Sequence, residues 1–431
     1  MMKKRTVALL LALCFLVLPL SSCQSRWGKL GEEAEAASLP TLTITTEGGA
    51  QIVSRSEYLN MTLVLSGIGE EQTFLSGRIR GRGNSTWDFC EKKSYRLKLD
   101  LKTNLLFTGD GGDKDWALIS CAREKSFLRN FAMFALAKEL GMAAVTDCSF
   151  CHLELNGEYM GLYMLTETVE LGKSRLDLED EGEEEDKAYL LELDKRAKSE
   201  AESPYEYFYV NDWEIPFAIK SKVSNEAQRD FIKDYVERVD DAILSGDREA
   251  INALADVESL VDMYLLQEFS KNRDVGFASF YLYKDKGGRL TAGFPWDFDM
   301  ALGNDSGEDR LAEKDSPKIN YKDPEGLMAA VLNRWFEALC KNEWFMTLCA
   351  DRWEQTVSPA VDKIVKKTVL QGYAMKNDAK RNYDRWAIMG KKQLFEPARI
   401  VMIRGYTGQV DYLADWMTDR RKWLDEYFEK W

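Results

Sequence analysis

KNRDVGFASFYLYKDKGGRLTAGFPWDFD, residues 271–299, is the stretch on which the reading of this chain turns. KNRDVGFAS directly follows a segment, Val257 to Ser270, whose apolar residues recur at spacings of three and four, as an amphipathic helix requires. FYLYKD and GRLTAGF then form two strand-like runs around Gly287 and Gly288, which reads as a hairpin leading into Trp296-Asp297-Phe298-Asp299. One aspartate, Asp274, therefore stands between a helix and a hairpin, and two more, Asp297 and Asp299, stand just after it.

Upstream, TLTITTEGG, MTLVLSG and SYRLKLD, between about Thr41 and Asp100, are rich in Val, Ile, Thr and Leu with turn residues between them, and read as strands. GRIRGRGNSTW, Gly77 to Trp87, interrupts these strands. Glycine lets a backbone approach a ligand closely, and adjacent amides with Arg and Ser can hold phosphate oxygens. A flexible loop is the plainer reading of the same residues. In KKSYRLKLD, Tyr95, Leu97 and Leu99 alternate with Arg96 and Lys98, giving one apolar and one basic face. Glu124 to Gly141 carries apolar residues near helical spacing and ends on glycine. HLELNGEYMGLYMLTE, His152 to Glu167, sets Asn156-Gly157 between two strand-like runs, a strong hairpin signal. The acidic run EDEGEEED, Glu179 to Asp186, reads as a solvated loop, and no function is assigned from there to about Asn225. A second amphipathic helix is expected near Glu226 to Leu244. From about Glu325 the pattern is helical and rich in Trp, with a last helix near Gln409 to Trp431.

The first residues have a basic start, an apolar run from Val7 to Leu20 and small residues before a cysteine, which is the form of a signal peptide over 1–22. LSSC, Leu20 to Cys23, matches the pattern cut by lipoprotein signal peptidase, so Cys23 is expected to be lipidated and to hold the chain outside the cytoplasmic membrane. Residues 23–38 read as a polar tether. The rest divides into a β-rich part (39–170), a central part (171–320) and a helical C-terminal part (321–431), with enough apolar content, 45% of 431 residues, for a sizeable core. A net charge of −14 argues against nucleic acid as a partner. Cys148 with Cys151, or Cys340 with Cys349, could oxidise in an exported protein. Cys148 to His152 also fits the haem-attachment pattern CxxCH, although a disulfide or two buried thiols is the preferred reading.

In order, the elements are a glycine loop, a strand with a lysine, a helix, a hairpin, more helices, an Asp loop, a second hairpin and Asp-Phe-Asp. Protein kinases use that order: a strand lysine holds nucleotide phosphates, a loop aspartate accepts the hydroxyl proton, and an aspartate after a hairpin holds magnesium. Lys98, Asp274 and Asp297 stand in those places. HRD and DFG are absent, the glycine loop is irregular, and Ser279 occupies the position where ordinary kinases place Asn.

GRGNSTW, KKSYRLKLD, REKSFLRN, ELNGEYMGLYMLTE, YLLQEFSKNRD and YLYKDKGGRLTAGFPWDFDMALGN together resemble the CotH kinase family, over about Leu39 to Asn304 and more weakly beyond. The resemblance implies an α+β, atypical protein-kinase-like two-lobe fold with a helical C-terminal extension. It implies a serine kinase that transfers the γ-phosphate of ATP to a surface or coat protein, with Mg2+ or Mn2+. Carried onto this sequence, Asp274 is the catalytic aspartate and Asp297 the metal ligand, with Asp299 placed to share the metal. Lys98, Asn84, Ser85 and Glu167 are the nucleotide contacts. The acid that pairs with Lys98 stays open between Glu139, Glu124 and others. The partners implied are ATP, a Ser-containing surface protein and the membrane through the lipid anchor only. The alternative is a kinase-like surface lipoprotein without turnover, acting as a binding or structural protein.

Overall fold

Alternation of apolar and polar residues along the N-terminal strands sends one set of side chains inward around a closed barrel. The computed structural model describes residues 26–36, 38–68, 72–105, 111–308 and 319–431; the signal peptide and Cys23 lie outside the described residues. The barrel strands are β1 (Thr41–Thr46), β2 (Leu59–Ser66), β3 (Thr73–Arg82), β4 (Ser94–Thr103), β5 (Asp113–Ile119), β6 (Cys148–Leu155) and β7 (Glu158–Glu167), in the spatial order β1-β2-β3-β4-β5-β7-β6. Leu42, Ile44, Leu63, Ile79, Leu97, Trp116 and Leu153 fill the interior. An N-lobe-like set of strands was expected; the strands are there, but β1 pairs parallel with β6 and closes them, so neither outer strand keeps a free edge. The Asn156-Gly157 turn joins β6 to β7 with positive φ at both residues (53° and 82°), as a type I′ hairpin needs.

A second, antiparallel sheet runs in the order β12-β11-β8-β10-β9, made of β8 (Tyr189–Leu193), β9 (Tyr207–Phe208), β10 (Phe217–Ile219), β11 (Phe280–Lys284) and β12 (Leu290–Ala292). β8, its middle strand, falls in the stretch whose pattern was silent. YLLEL is an almost unbroken apolar run, which cannot by itself be told from a helix segment. Helices Glu226–Ser245 and Val257–Ser270 match expectation, capped at their starts by Asn225 and Asp256. The helix expected from Glu124 starts only at Arg129. The Glu124 carboxylate takes hydrogen bonds from Ser126 N (3.1 Å) and Ser126 Oγ (2.6 Å), which holds residues 124–128 as a loop, and it pairs with Arg129 at 2.9 Å.

The C-terminal helices, including Ser358–Ala374 and Tyr406–Phe428, complete a large core with Trp335 and Trp353 fully buried. Residues 28–32, expected within the tether, form a helical turn on this body: Trp27 Nε1 donates to Asp415 at 2.9 Å, and Gly31 lies so close to the Tyr373 ring that a Cβ would overlap it. Among the described residues no helix is long and apolar enough to cross a membrane.

All six cysteines from Cys90 to Cys349 are free thiols. Cys148 and Cys151 sit three residues apart in one strand, a span of about 10 Å, beyond the reach of a disulfide. His152 is held by Tyr159 OH and Asp378 Oδ1, each at 2.9 Å, so both ring nitrogens are taken by protein groups rather than offered to a haem iron.

Candidate active site

Between the outer face of the barrel and the second sheet lies a cleft of about 1090 Å3. The loop after β3 brings Gly83, Asn84 and Ser85 to one wall, and β8 and β11 bring Glu192, Asp194 and Tyr281 to the other. Asp274, Asp297 and Asp299, far apart in sequence from the glycine loop, all line the same cleft.

Each aspartate is set there by its neighbours. Asp274 follows the helix Val257–Ser270 on a short 3-10 turn, where its backbone N–H is capped by Asn272 Oδ1 at 3.1 Å. In Trp296-Asp297-Phe298-Asp299 the acids and Trp296 line the cleft while Phe298 is buried: Trp296 stacks on Phe134 (5.6 Å between centroids), Phe298 meets the same ring edge-on, and Phe298 N donates to Asn130 Oδ1 at 2.8 Å. Arg129, from the same helix as Phe134, donates to the Ala301 carbonyl at 3.1 Å and fixes the turn that follows. Asp297 and Ser279 both have positive φ, 63° and 55°, in a region that costs a non-glycine residue of order 1 kcal/mol or more. Such strain is kept where the surroundings enforce it.

Among the described residues, no hydrogen bond or ion pair reaches the carboxylate of Asp274, Asp297 or Asp299. Burial, and then the charge of Asp297, push Asp274 up to about 7 and Asp299 up to about 8. Asp297 is raised too, by burial working against the pull of Arg82, Arg123 and Arg196.

Opposite the acids stand the cations. Arg123 is only 6% exposed and donates to Ser85 Oγ at 2.7 Å, while its Nε and Nη2 stay buried with no partner among the described residues. Arg82 lies over the Trp296 ring at 5.1 Å, whereas Arg196 is engaged by Asp194 at 3.1 Å. An anion entering beside Ser85 would satisfy the two idle nitrogens of Arg123.

Two candidates, Lys98 and Glu167, take other places, and a third, Asn84, lines the cleft with its side chain engaged. Lys98 points from the outer face of the barrel away from the cleft lining and pairs with Asp115 at 3.8 Å, which also settles its acid partner: Glu124 belongs to Arg129 and Glu139 to Lys363. Glu167 accepts from Arg175 at 2.9 Å and from Asp147 N at 2.7 Å, outside the cleft lining. Asn84 lines the cleft, but its side-chain oxygen is bonded by Arg55. Arg82 and Arg123, which line the cleft where Lys98 does not, have no sequence signal beyond the arginine-rich loop and the REKSF segment. The rings that cover them, Trp296 over Arg82 and Phe395 over Arg123, lie more than 200 residues further along the chain.

No group of three or more acids, histidines or cysteines converges as a metal cage among the described residues. A magnesium-like ion that travels with phosphates needs only one or two carboxylates, and Asp297 with Asp299 supplies such a pair. Asn304 donates through Nδ2 to the Asp299 carbonyl (2.7 Å) and keeps its Oδ1 buried without a partner among the described residues, one more hard oxygen beside the acids. The donor set fits a hard divalent cation.

The acid cluster makes a prediction about stability. A carboxyl raised to about 8 keeps a proton in the folded state that the unfolded chain has already released, so between about pH 4 and pH 8 stability falls as pH rises. Asp299→Asn removes that cost. In metal-free thermal melts the variant should exceed the wild type at about pH 8 by roughly 2 °C or more, with the gain shrinking toward about pH 4. Equal melting temperatures at both pH values would show that Asp299 ionises freely.

The family model described as CotH kinase protein matches residues 79–424, most of the chain, from within β3 into the last long helix. No curated protein matches the chain.

Proposed function

The chain belongs to the CotH kinase family, and from that premise we propose that it is a serine kinase that transfers the γ-phosphate of ATP to a surface or coat protein. The observation that carries this reading is a pair of groups unsatisfied among the described residues and lining one cleft: three carboxylates without donors and a buried guanidinium with two idle nitrogens. Phosphoryl transfer needs that polarity, because its catalysis is mostly positioning and neutralisation of spreading negative charge. The barrel is read as the counterpart of a kinase N-lobe, and the second sheet with its helices as the counterpart of a C-lobe, since the cleft takes its walls from both.

In this mechanism Arg123, Arg82 and Ser85 bind the phosphate chain. Asp274 orients the acceptor hydroxyl and takes its proton, and its raised basicity near neutral pH suits it to that task. Asp297 and Asp299 would hold a divalent cation, which, when bound, supplies positive charge to the phosphate oxygens. Packing of Trp296 and Phe298 on Phe134 anchors the segment that carries the two carboxylates. The pattern at Leu20 to Cys23 supports a place outside the cytoplasmic membrane, held by a lipid on Cys23.

The test is incubation of the full chain with γ-labelled ATP, Mg2+ or Mn2+ and a serine-rich acceptor, with and without a chelator. Label on protein serine, lost with the chelator, is the expected result. Metal-dependent nucleotide binding without label on any acceptor would leave the binding-protein reading instead.

A further inference from the structure

Arg55 and Arg80, at the rim of the cleft, and Arg78 beyond it have no use in the mechanism above. Alternation along β3 puts Arg78, Arg80 and Arg82 on the outer face of the barrel, with Arg78 exposed and the other two half-buried as the strand enters the cleft. Arg78 and Arg80 flank one ring, Tyr58, at 5.4 and 5.1 Å from its centroid. Arg80 donates to the carbonyl of Arg55, and Arg55 donates to the Gly83 carbonyl at 2.9 Å, so these two are tied to the glycine loop.

Among the described residues no carboxylate forms an ion pair with Arg55, Arg78 or Arg80, and Arg80 Nε is buried without a partner. The next strand differs: there Arg96 and Lys98 share Asp115. In a chain of net charge −14, three guanidiniums with no ion-pair partner among the described residues are out of balance, and an anion from outside would restore it. Arg82 and Arg123 already serve the phosphates at the cleft floor. Arg78 does not line the cleft, and it lies four residues, about 13 Å, out along the strand from Arg82. A ligand reaching it must extend from the cleft over the barrel.

Building on the kinase reading, we propose that Arg55, Arg78 and Arg80, with Tyr58, form a docking site for acidic residues that flank the serine of the acceptor protein. The guanidinium fork suits carboxylates, and the site continues the cleft outward along β3.

The test uses the full chain and three peptides that differ only in the residues around one serine, Glu, Gln or Lys, each also made with Ala in place of the serine. Binding of the Ala peptides is followed by fluorescence anisotropy, and transfer to the Ser peptides by the labelled-ATP assay. The Glu peptide should bind best, and Arg78→Glu should weaken it roughly five- to tenfold and reverse the preference toward Lys, with ATP affinity changed less than about twofold. Arg78 is exposed, so this variant should fold, and Arg55→Ala should weaken the same peptide in the same direction. Equal binding of all three peptides would overturn the proposal. So would a loss of ATP affinity as large as the loss of peptide affinity, since that would assign these arginines to the nucleotide. If no peptide is labelled but the binding order holds, the docking site stands and the kinase reading fails.

Discussion

Asp274→Asn lowers phosphate transfer by about 10² to 10⁴, the usual share of a general base, while nucleotide affinity stays within about twofold. The two effects separate because the proposed mechanism sets Asp274 against the acceptor hydroxyl, and among the described residues its carboxylate has no hydrogen bond or ion pair to the groups proposed to hold phosphates. The pH profile is the sharper readout. A carboxyl raised to about 7 is half protonated near neutrality, and only the ionised form accepts a proton. Wild-type transfer should therefore climb as pH rises through about 7, and the small residual rate of the variant should lack that step. If a bound cation at Asp297 and Asp299 relieves the crowding of charge, the step moves to lower pH, because Asp297 is the second cause of the raised value. A variant that retains most of its activity across the range would remove Asp274 from the chemistry.

Arg123→Met should weaken nucleotide binding by roughly 10- to 100-fold, the scale of one or two charged hydrogen bonds, whereas Lys98→Ala should change it by less than about twofold. The contrast follows from burial. Arg123 is held inside the cleft with nitrogens to spare, while Lys98 is half exposed and already shares Asp115 with Arg96. Titration with a fluorescent nucleotide in the presence of magnesium checks both. The opposite ranking would return the phosphate role to the strand lysine that kinase order points to.

That ranking marks what sequence reading reaches here. Helix spans, the Asn156-Gly157 hairpin and the aspartates at 274, 297 and 299 are legible because each depends on local periodicity, turn chemistry or short motifs. Barrel closure is not, since nothing in TLTITT says that its partner is a strand more than a hundred residues later. Lys98 is a case of right strand and wrong end. Its side chain has the expected alternation, but β4 runs past the cleft, and the cleft-lining residue on that face is Ser94. The acidic stretch after Glu179 hid β8, whose Glu192, with Asp194 just past its end, lines the site. Ser279 was read as a departure from kinases, and its left-handed backbone places it in the cleft wall, where an Asn would also be comfortable.

Closure of the barrel also sets an order of events during synthesis. Thr41 in β1 pairs with His152 in β6, so the first strand is made long before the residue that will complete it. At ribosomal speeds the wait is roughly 5 to 20 s. Throughout that interval Leu42 and Ile44 have a neighbour on one side only, in β2, and present an open strand edge to any other chain nearby. A nascent chain of this protein, stalled before residue 148, should therefore be a ready client for holding chaperones and an easy target for aggregation.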